Sequence, residues 1–484
     1  MLNMVTTNPD SLVFSADEVT RTLDGWQDGE GSLVERLAIA MAAAIRRGEL
    51  SAGWRLPPER DLAAALAVGR NTVAGAYRKL KAMSIVGRRQ GSGTWIEPAF
   101  DGGASREQVV GVGGHKLTVL DVAGERGRID LAAALPTAPP TLDTMPWTGD
   151  TRDLVGHTGY WPLGYPPLRR AVAALFRRRG LPTTENDVLI TSGAQQAIAL
   201  IAFELCRPGD AVAIEDPTFP GAIDAFRRVD ARVVPLSMDT VGPVDSYAAA
   251  LRSAQARALY VMTTVHNPTG RMLTHEQRLE VIRAARQHST LIVEDETLAE
   301  LTYAGAPPPL AAIAPPRSVI TVGSLSKIYW GGLRIGWIRA AQPVIDRLGR
   351  LKTIWDLSSS APSQQLAVEL LKQHDKLRQQ RVSELRSRSA TLLELLAEHL
   401  GDWHVTEPRG GLFVWARLPH GSATELAVRG AENGVAVLPG PATSPVGRFD
   451  DHVRISFVRE PDTLAEGISR LARAWRDIRD RYAK

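Results

Sequence analysis

The chain has 484 residues, 44% of them hydrophobic and 23% charged. That is the make-up of a soluble protein, and its length suggests about three folding units. The net charge is a mild +4, but residues 32–98 hold eleven Lys/Arg against five Asp/Glu, leaving the rest at −2. A basic segment on a near-neutral body suggests a nucleic-acid-binding module. No run of about 18 uncharged apolar residues is present, so no membrane span is expected. The opening MLNMVTTNPD lacks the basic and apolar regions of a signal peptide. The single cysteine, Cys206, forms neither an internal disulfide nor a zinc site by itself. A cytoplasmic protein without a metal centre is expected.

In chain order, residues 1–31 are polar and Gly-punctuated and read as a loose arm. Leu33, Leu37, Met41, Ala44 and Ile45 fall at helical spacing, with Ser32 as N-cap and Gly48 as stop. Short helices are predicted over 58–66 and 70–83. Ile85–Val86 and Thr94–Ile96 then flank GRRQGSG as a two-stranded wing. Residues 99–128 are Gly-rich and read as a linker. From Ile129 onward, strand-like runs (DVLITSG, AVAIED, RALYVMTT, TLIVEDE, SVITVGS) alternate with helical stretches. That alternation predicts an α/β domain with a mostly parallel sheet over 129–484.

Within 32–98, two short helices in series are joined at AVGR. This is the helix-turn-helix arrangement, whose second helix enters the major groove. Arg70 heads that helix, where an arginine can pair bidentately with guanine. Asn71, Thr72 and Tyr77 are candidates for phosphate or base-edge contacts, and Arg88, Arg89 and Gln90 for wing contacts. LPPERDLA, GRNTVAGAYRKL and QGSGTW together resemble the winged helix of the GntR family. The resemblance implies DNA-contacting arginines at Arg60 and Arg70 and a wing glycine at Gly91. Gly69 stands where the family usually has Ser or Thr, and Ala74 where some members have a second arginine.

Four segments of the large domain carry its chemistry. TSGAQQAI (191–198) turns from a strand into a helix whose free N–H groups suit an anion. VHNPTG (265–270), LIVEDE (291–296) and GSLSKIYWGGLRIGW (323–337) follow. In this order they resemble the aminotransferase class of the pyridoxal phosphate (PLP) fold-type I enzymes, with a smaller C-terminal α+β lobe over about 380–484. The resemblance implies that Lys327 forms the aldimine with PLP, Asp295 pairs with the pyridine nitrogen, Asn267 binds the phenolic oxygen and Phe219 stacks on the ring. It places the phosphate on Ser324, Ser326, Arg334 and the backbone of Gly193, Ala194 and Gln195, and an effector or substrate carboxylate on Arg454. An arginine fork matches phosphate oxygens. Two family tyrosines are displaced: Thr297 stands two residues after the Asp, and Gly159, with Tyr160 one place on, stands before PLGYPPLR.

A GntR-like winged helix followed by an aminotransferase-like domain resembles the MocR subfamily of regulators. The resemblance implies a PLP-dependent, DNA-binding homodimer, head-to-tail, that senses an amino compound or PLP itself at Lys327. Two alternatives stay open: an active aminotransferase with an attached DNA module, and a regulator whose large domain is a PLP-free scaffold.

Overall fold

A computed structural model describes residues 14–23, 26–27, 32–46, 50, 54–82, 85–89, 93–96, 128–138, 152–237 and 245–482. The chain divides into two compact units, Met1–Thr118 and Val119–Lys484. The expected linker, apart from Arg128, lies outside the described residues.

The first unit starts with α1 (Ala16–Thr22), then α2 (Leu33–Arg46), α3 (Glu59–Ala65) and α4 (Arg70–Ala82). Strands β1 (Val86–Arg89) and β2 (Gly93–Ile96) pair antiparallel, Val86 opposite Ile96. A further short segment joins this wing: Leu56 N–H donates to Thr94 O (2.8 Å) and Ile96 N–H to Trp54 O (2.9 Å). Ser32 caps the head of α2, as its sequence predicts, and Glu35 returns the bond to the Ser32 amide.

The loose arm expected over 1–31 is corrected in part. Ser15 and Glu18 form a capping box that starts α1. The helix packs on α3, and Val19 and Leu23 join Leu37, Met41, Leu62, Val73 and Leu80 in one core. The preceding Phe14 lays its ring 4.7 Å from that of Trp54. Only two apolar side chains one turn apart anchor this helix, too short a pattern to stand out by periodicity.

In the second unit, β3 (Ile129–Asp130) comes first and α5 (Pro166–Arg178) precedes β4 (Val188–Thr191). Then follow α6 (Ala194–Leu205), β5 (Ala211–Asp216), α7 (Pro220–Arg227), β6 (Arg232–Ser237), α8 (Asp245–Ala254), β7 (Ala258–Val261), α9 (His275–Gln287), β8 (Leu291–Asp295), β9 (Val319–Ser324) and β10 (Gly336–Arg339). They form one seven-stranded sheet in the order β4-β10-β9-β8-β7-β5-β6. The pairs from β6 through β9 are parallel, whereas β10 runs antiparallel to both β9 and β4. The five predicted runs are β4, β5, β7, β8 and β9, nearly all of whose residues are buried, as both-face coverage requires. Beyond them, α10 (Gln342–Asp356), α11 (Ala361–Lys372) and the 26-residue α12 (His374–His399) lead to the smaller lobe. That lobe holds β11 (His404–Val405), β12 (Phe413–Arg417), α13 (Ala423–Glu432), β13 (Val435–Ala436), β14 (Leu438–Pro439), β15 (His452–Ser456) and α14 (Pro461–Tyr482). Its main sheet has the order β11-β12-β15-β14, and β13 pairs in parallel with β3. The first strand of the large unit is therefore part of the small lobe, which a C-terminal boundary near 380 does not capture.

Truncating Leu23, 2% exposed, removes a full side chain from the winged-helix core. Leu23→Ala should lower the stability of that unit by about 2–4 kcal/mol. Native-state hydrogen exchange over residues 33–82 reads the change, and unaltered protection would contradict the packing of α1.

Candidate functional site

The carboxyl ends of parallel strands are where open α/β sheets place their ligands. Here β8 ends in Asp295 and β9 in Ser324, and the chain after β4 turns at Gly193 into α6. Gly193 has φ 91°, and no side chain caps the helix it heads. The first N–H groups of α6, at Ala194 and Gln195, are thus left to an outside acceptor. Arg334, itself left-handed (φ 53°), lies against this turn, with Nη2 donating to Ser192 O at 2.7 Å. Gly336 allows the approach: a Cβ there would sit 2.5 Å from the carbonyl carbon of Gly193. Ser324 Oγ donates to Ser326 Oγ (3.1 Å) and accepts from the Ser326 amide (3.1 Å). Gly193, Ala194, Gln195, Ser324, Ser326 and Arg334 thus come from strands that are neighbours through β10.

Asp295 is buried, 1% exposed. Tyr260 donates its hydroxyl to Oδ2 at 2.5 Å and the Thr297 amide donates to Oδ1 at 2.9 Å. Burial still outweighs these bonds and raises the carboxyl above its ordinary range. Thr297, which occupies the family tyrosine's place, therefore serves Asp295. Behind it, Arg179 grips Glu296 with both Nη atoms (2.7 and 2.8 Å).

Lys327 follows β9. Its amine donates to Ala134 O at 2.9 Å. Desolvation lowers its pKa to about 8; Arg454 and Arg334 push the same way and Asp295 opposes them. The residue as a whole keeps partial exposure, although its amine is desolvated enough to lower its pKa.

Arg454 lies on β15 and is buried. Its Nη1 donates to Asn267 Oδ1 (2.8 Å) and its Nη2 to Ala132 O (2.6 Å), while its guanidinium carbon lies 4.9 Å from the centre of the Phe413 ring. Burial lowers its pKa to about 10, so it stays a cation at neutral pH. Asn267 and Arg454, 187 residues apart, are thereby joined across the two lobes. Phe219 caps α7 and packs against the main core. Tyr160 is 62% exposed.

Sequence reasoning missed Tyr260, whose only signal was a tyrosine inside an apolar strand. It also missed the buried brace beneath Asn267. There Glu215 accepts from Met262 N–H (2.7 Å) and Tyr247 Oη (3.2 Å), and His266 Nδ1 meets Thr269 Oγ1 at 2.8 Å. Burial pushes Glu215 up to about 7 and His266 down to about 3, so the imidazole is neutral.

On the winged helix, Arg60 and Asn71 are exposed and Thr72 is half-buried. Arg70 is 71% exposed, its Nε 3.5 Å from Glu59. The Thr72 amide donates to Gly69 O, a backbone substitute for the absent capping hydroxyl. Tyr77 is a correction: it is 3% exposed, and its hydroxyl donates to Pro57 O at 2.8 Å. Burial raises its pKa, with the Glu59 charge adding to the shift. It lies on the inner face of α4 and holds the turn before α3. Arg88 and Arg89 are on β1, facing Thr94 and Gly93 in the ladder. Gln90 and Gly91 lie outside the described residues.

Residues 148–471 match the model of the family "Aminotransferase class I and II". The chain belongs to that family. Residues 33–96 also match the model of "Bacterial regulatory proteins, gntR family". The aminotransferase-family chain is thus fused to a GntR-type helix-turn-helix, the combination expected of the MocR subfamily. It is 29% identical to an uncharacterized HTH-type transcriptional regulator, YdfD, of Bacillus subtilis, over 90% of this chain and 95% of the relative. It is 27% identical to the probable rhizopine catabolism regulatory protein MocR of Rhizobium meliloti, over 93% and 95% respectively. Among solved structures, it is similar to LysN, the alpha-aminoadipate aminotransferase of Thermus thermophilus, solved with N-(5′-phosphopyridoxyl)-L-leucine. The TM-score is 0.66 at 30% identity, covering 73% of this chain and 93% of LysN.

The lowered pKa of Lys327 has a direct consequence. Below about 8 the amine is protonated and unreactive, so its modification by an amine-selective acylating reagent should accelerate as pH rises through about 8. Peptide mass mapping of Lys327 against pH reads this, and an inflection near the ordinary 10.5 would contradict the burial.

Proposed function

We propose that the chain is a transcriptional regulator of the MocR type, whose aminotransferase-like domain holds PLP at Lys327 and senses an amino compound there, or PLP itself. The observation that carries the reading is the joint presence, in one chain, of an enclosed Lys327 amine facing a buried Asp295 and a helix-turn-helix with an exposed Arg70.

The residues suit PLP end by end. The uncapped N-terminus of α6, Ser324, Ser326 and Arg334 offer donors to a phosphate. Asp295, held by Tyr260 and Thr297, is the partner for a protonated ring nitrogen. Asn267 is the candidate for the phenolic oxygen, and Phe219, at the head of α7, the candidate to stack on the ring. When bound, PLP supplies a carbonyl carbon open to amines and a ring that takes up electron density. Lys327 Nζ is the amine this chain offers to that carbon, and its low pKa keeps a good fraction neutral near pH 8. Arg454 offers an effector carboxylate a fixed fork, because Asn267 and Ala132 already orient its guanidinium. An effector amine would compete with Lys327 Nζ for that carbon, so the Lys327 side chain would be the group through which the effector is sensed. The effector shifts the two states only by its differential affinity for them.

Arg454 lies in the small lobe and Asn267 in the large one, so a carboxylate bound there bears on the fit between the lobes. On the DNA side, Arg60, Arg70, Asn71 and Thr72 are the base- and phosphate-reading candidates, with Arg88, Arg89, Gln90 and Gly91 at the wing. A homodimer, head-to-tail, would present two such helices to two half-sites, and a cytoplasmic location follows from access to DNA. Thr297 and the displaced Tyr160 favour sensing over sustained transamination.

The test is an absorption spectrum of the purified protein after addition of PLP. A visible band is expected in the wild type and its loss or shift in Lys327→Ala. Absence of any band in the wild type would instead make the large domain a PLP-free scaffold.

A further inference from the structure

Behind the turn that heads α6 runs a chain of hydrogen bonds. The Ser192 amide donates to Gln196 Oε1 at 2.7 Å. Gln196 Nε2 donates to Asp356 Oδ2 at 2.8 Å. The other oxygen, Asp356 Oδ1, accepts from Lys352 Nζ at 2.8 Å. Lys352 has no exposed side-chain surface, although Asp356 keeps 25%. A second thread joins the same places: Ser192 Oγ and Ser359 Oγ are 3.3 Å apart, and Ser359 O accepts from Gln364 Nε2 at 2.8 Å.

We propose that Gln196, Asp356 and Lys352 form a positioning relay for the phosphate subsite, so that the protein distinguishes phosphorylated from unphosphorylated ligands through residues that do not touch the phosphate. The proposal rests on the reading of this site as the seat of a phosphate-bearing cofactor. Each link has a defined direction. A carboxylate only accepts, and a backbone amide only donates, so Gln196 can satisfy both in one orientation alone. The side-chain amide is therefore locked, and it fixes the peptide that ends at Ser192 N. The next peptide is fixed from the other side, because Arg334 donates to Ser192 O. In a trans peptide the N–H points away from the C=O, so the Gly193 N–H does not share the side of Arg334, and the phosphate donors left beside Arg334 are the Ala194 and Gln195 N–H groups at the head of α6. Ser192 is thus held at both its N–H and its C=O, and with it the Arg334 guanidinium and the turn that leads into α6, before any anion arrives, which spares part of the ordering cost of a flexible cradle.

Lys352 has a second role. A lone carboxylate behind an anion site would repel the ligand. Pairing it with a buried ammonium cancels that field at short range while leaving Asp356 free to accept from Gln196. Burial lowers the Lys352 pKa, and the bond and charge of Asp356 oppose the shift. All three residues lie on α6 or α10, so rigid helices carry the alignment.

The test uses the full-length protein and three ligands: PLP, pyridoxal and inorganic phosphate. Gln196→Leu keeps the bulk and removes both bonds, and Asp356→Asn disturbs the relay one link back. Each variant should weaken PLP binding about tenfold, the scale of one or two lost hydrogen bonds, and reduce the thermal shift produced by inorganic phosphate. Pyridoxal affinity should stay at the wild-type value. Equal losses for PLP and pyridoxal would overturn the proposal in favour of general loosening, and unchanged PLP and phosphate binding would overturn it outright. Ligand-free melting curves show whether each variant is folded, so that Asp356→Asn decides the matter where Gln196→Leu fails. A wild type that is stabilised by phosphate but takes up no PLP would sink the cofactor reading and leave the relay standing.

Discussion

Three charged groups, the Asp295 carboxylate and the cations of Lys327 and Arg454, are held together where water has little access, and the rest of the large unit is built to make that tolerable. Burying an ion costs several kcal/mol unless specific partners offset it. Asp295 has Tyr260 and the Thr297 amide, Arg454 has Asn267 and Ala132, and Lys327 has the Ala134 carbonyl. The offsets are incomplete, and the residual imbalance is visible as a raised Asp295 and a lowered Lys327. Such imbalance marks functional sites, because a group uneasy in its place gains most when a ligand supplies the missing partner.

This arrangement also links parts of the chain that are far apart in sequence. Asn267 precedes α9, whereas Arg454 stands on β15 of the small lobe. Ala132 and Ala134 follow β3, which itself pairs with β13. The opening segment of the large unit therefore touches both the lysine and the arginine of the site. A change at either residue therefore bears directly on the contacts of Ala132 and Ala134.

Much of this was legible in the sequence, for identifiable reasons. The apolar runs of β5, β7, β8 and β9 are buried on both faces, so hydrophobicity alone marks them. The chemistry-bearing residues fall in short motifs that need Gly, Ser, Lys and Arg at fixed steps. What escaped detection has equally physical causes. Strand β10 is four residues inside a motif read for its chemistry, and β6 is only half-buried with a proline within it. Helix α1 is held by two side chains and a capping box. Tyr77 was misjudged because a tyrosine on a recognition helix has the same letter whether it faces DNA or the core; only the α4 face, with Val73, Ala76 and Leu80 buried beside it, decides. Tyr260 and the relay through Gln196 and Asp356 join residues 35 and 160 positions apart, a proximity that no local pattern encodes.

The central claim is that one lysine ties small-molecule chemistry to DNA affinity. It is tested most directly by titrating DNA selected in vitro for binding with the PLP-treated full chain, with and without each member of a panel of amino acids and amines, in wild type and Lys327→Ala. An affinity that shifts with an amine in the wild type and stays fixed in the variant is the expected result. An equal shift in both proteins would contradict the claim and place sensing elsewhere in the chain.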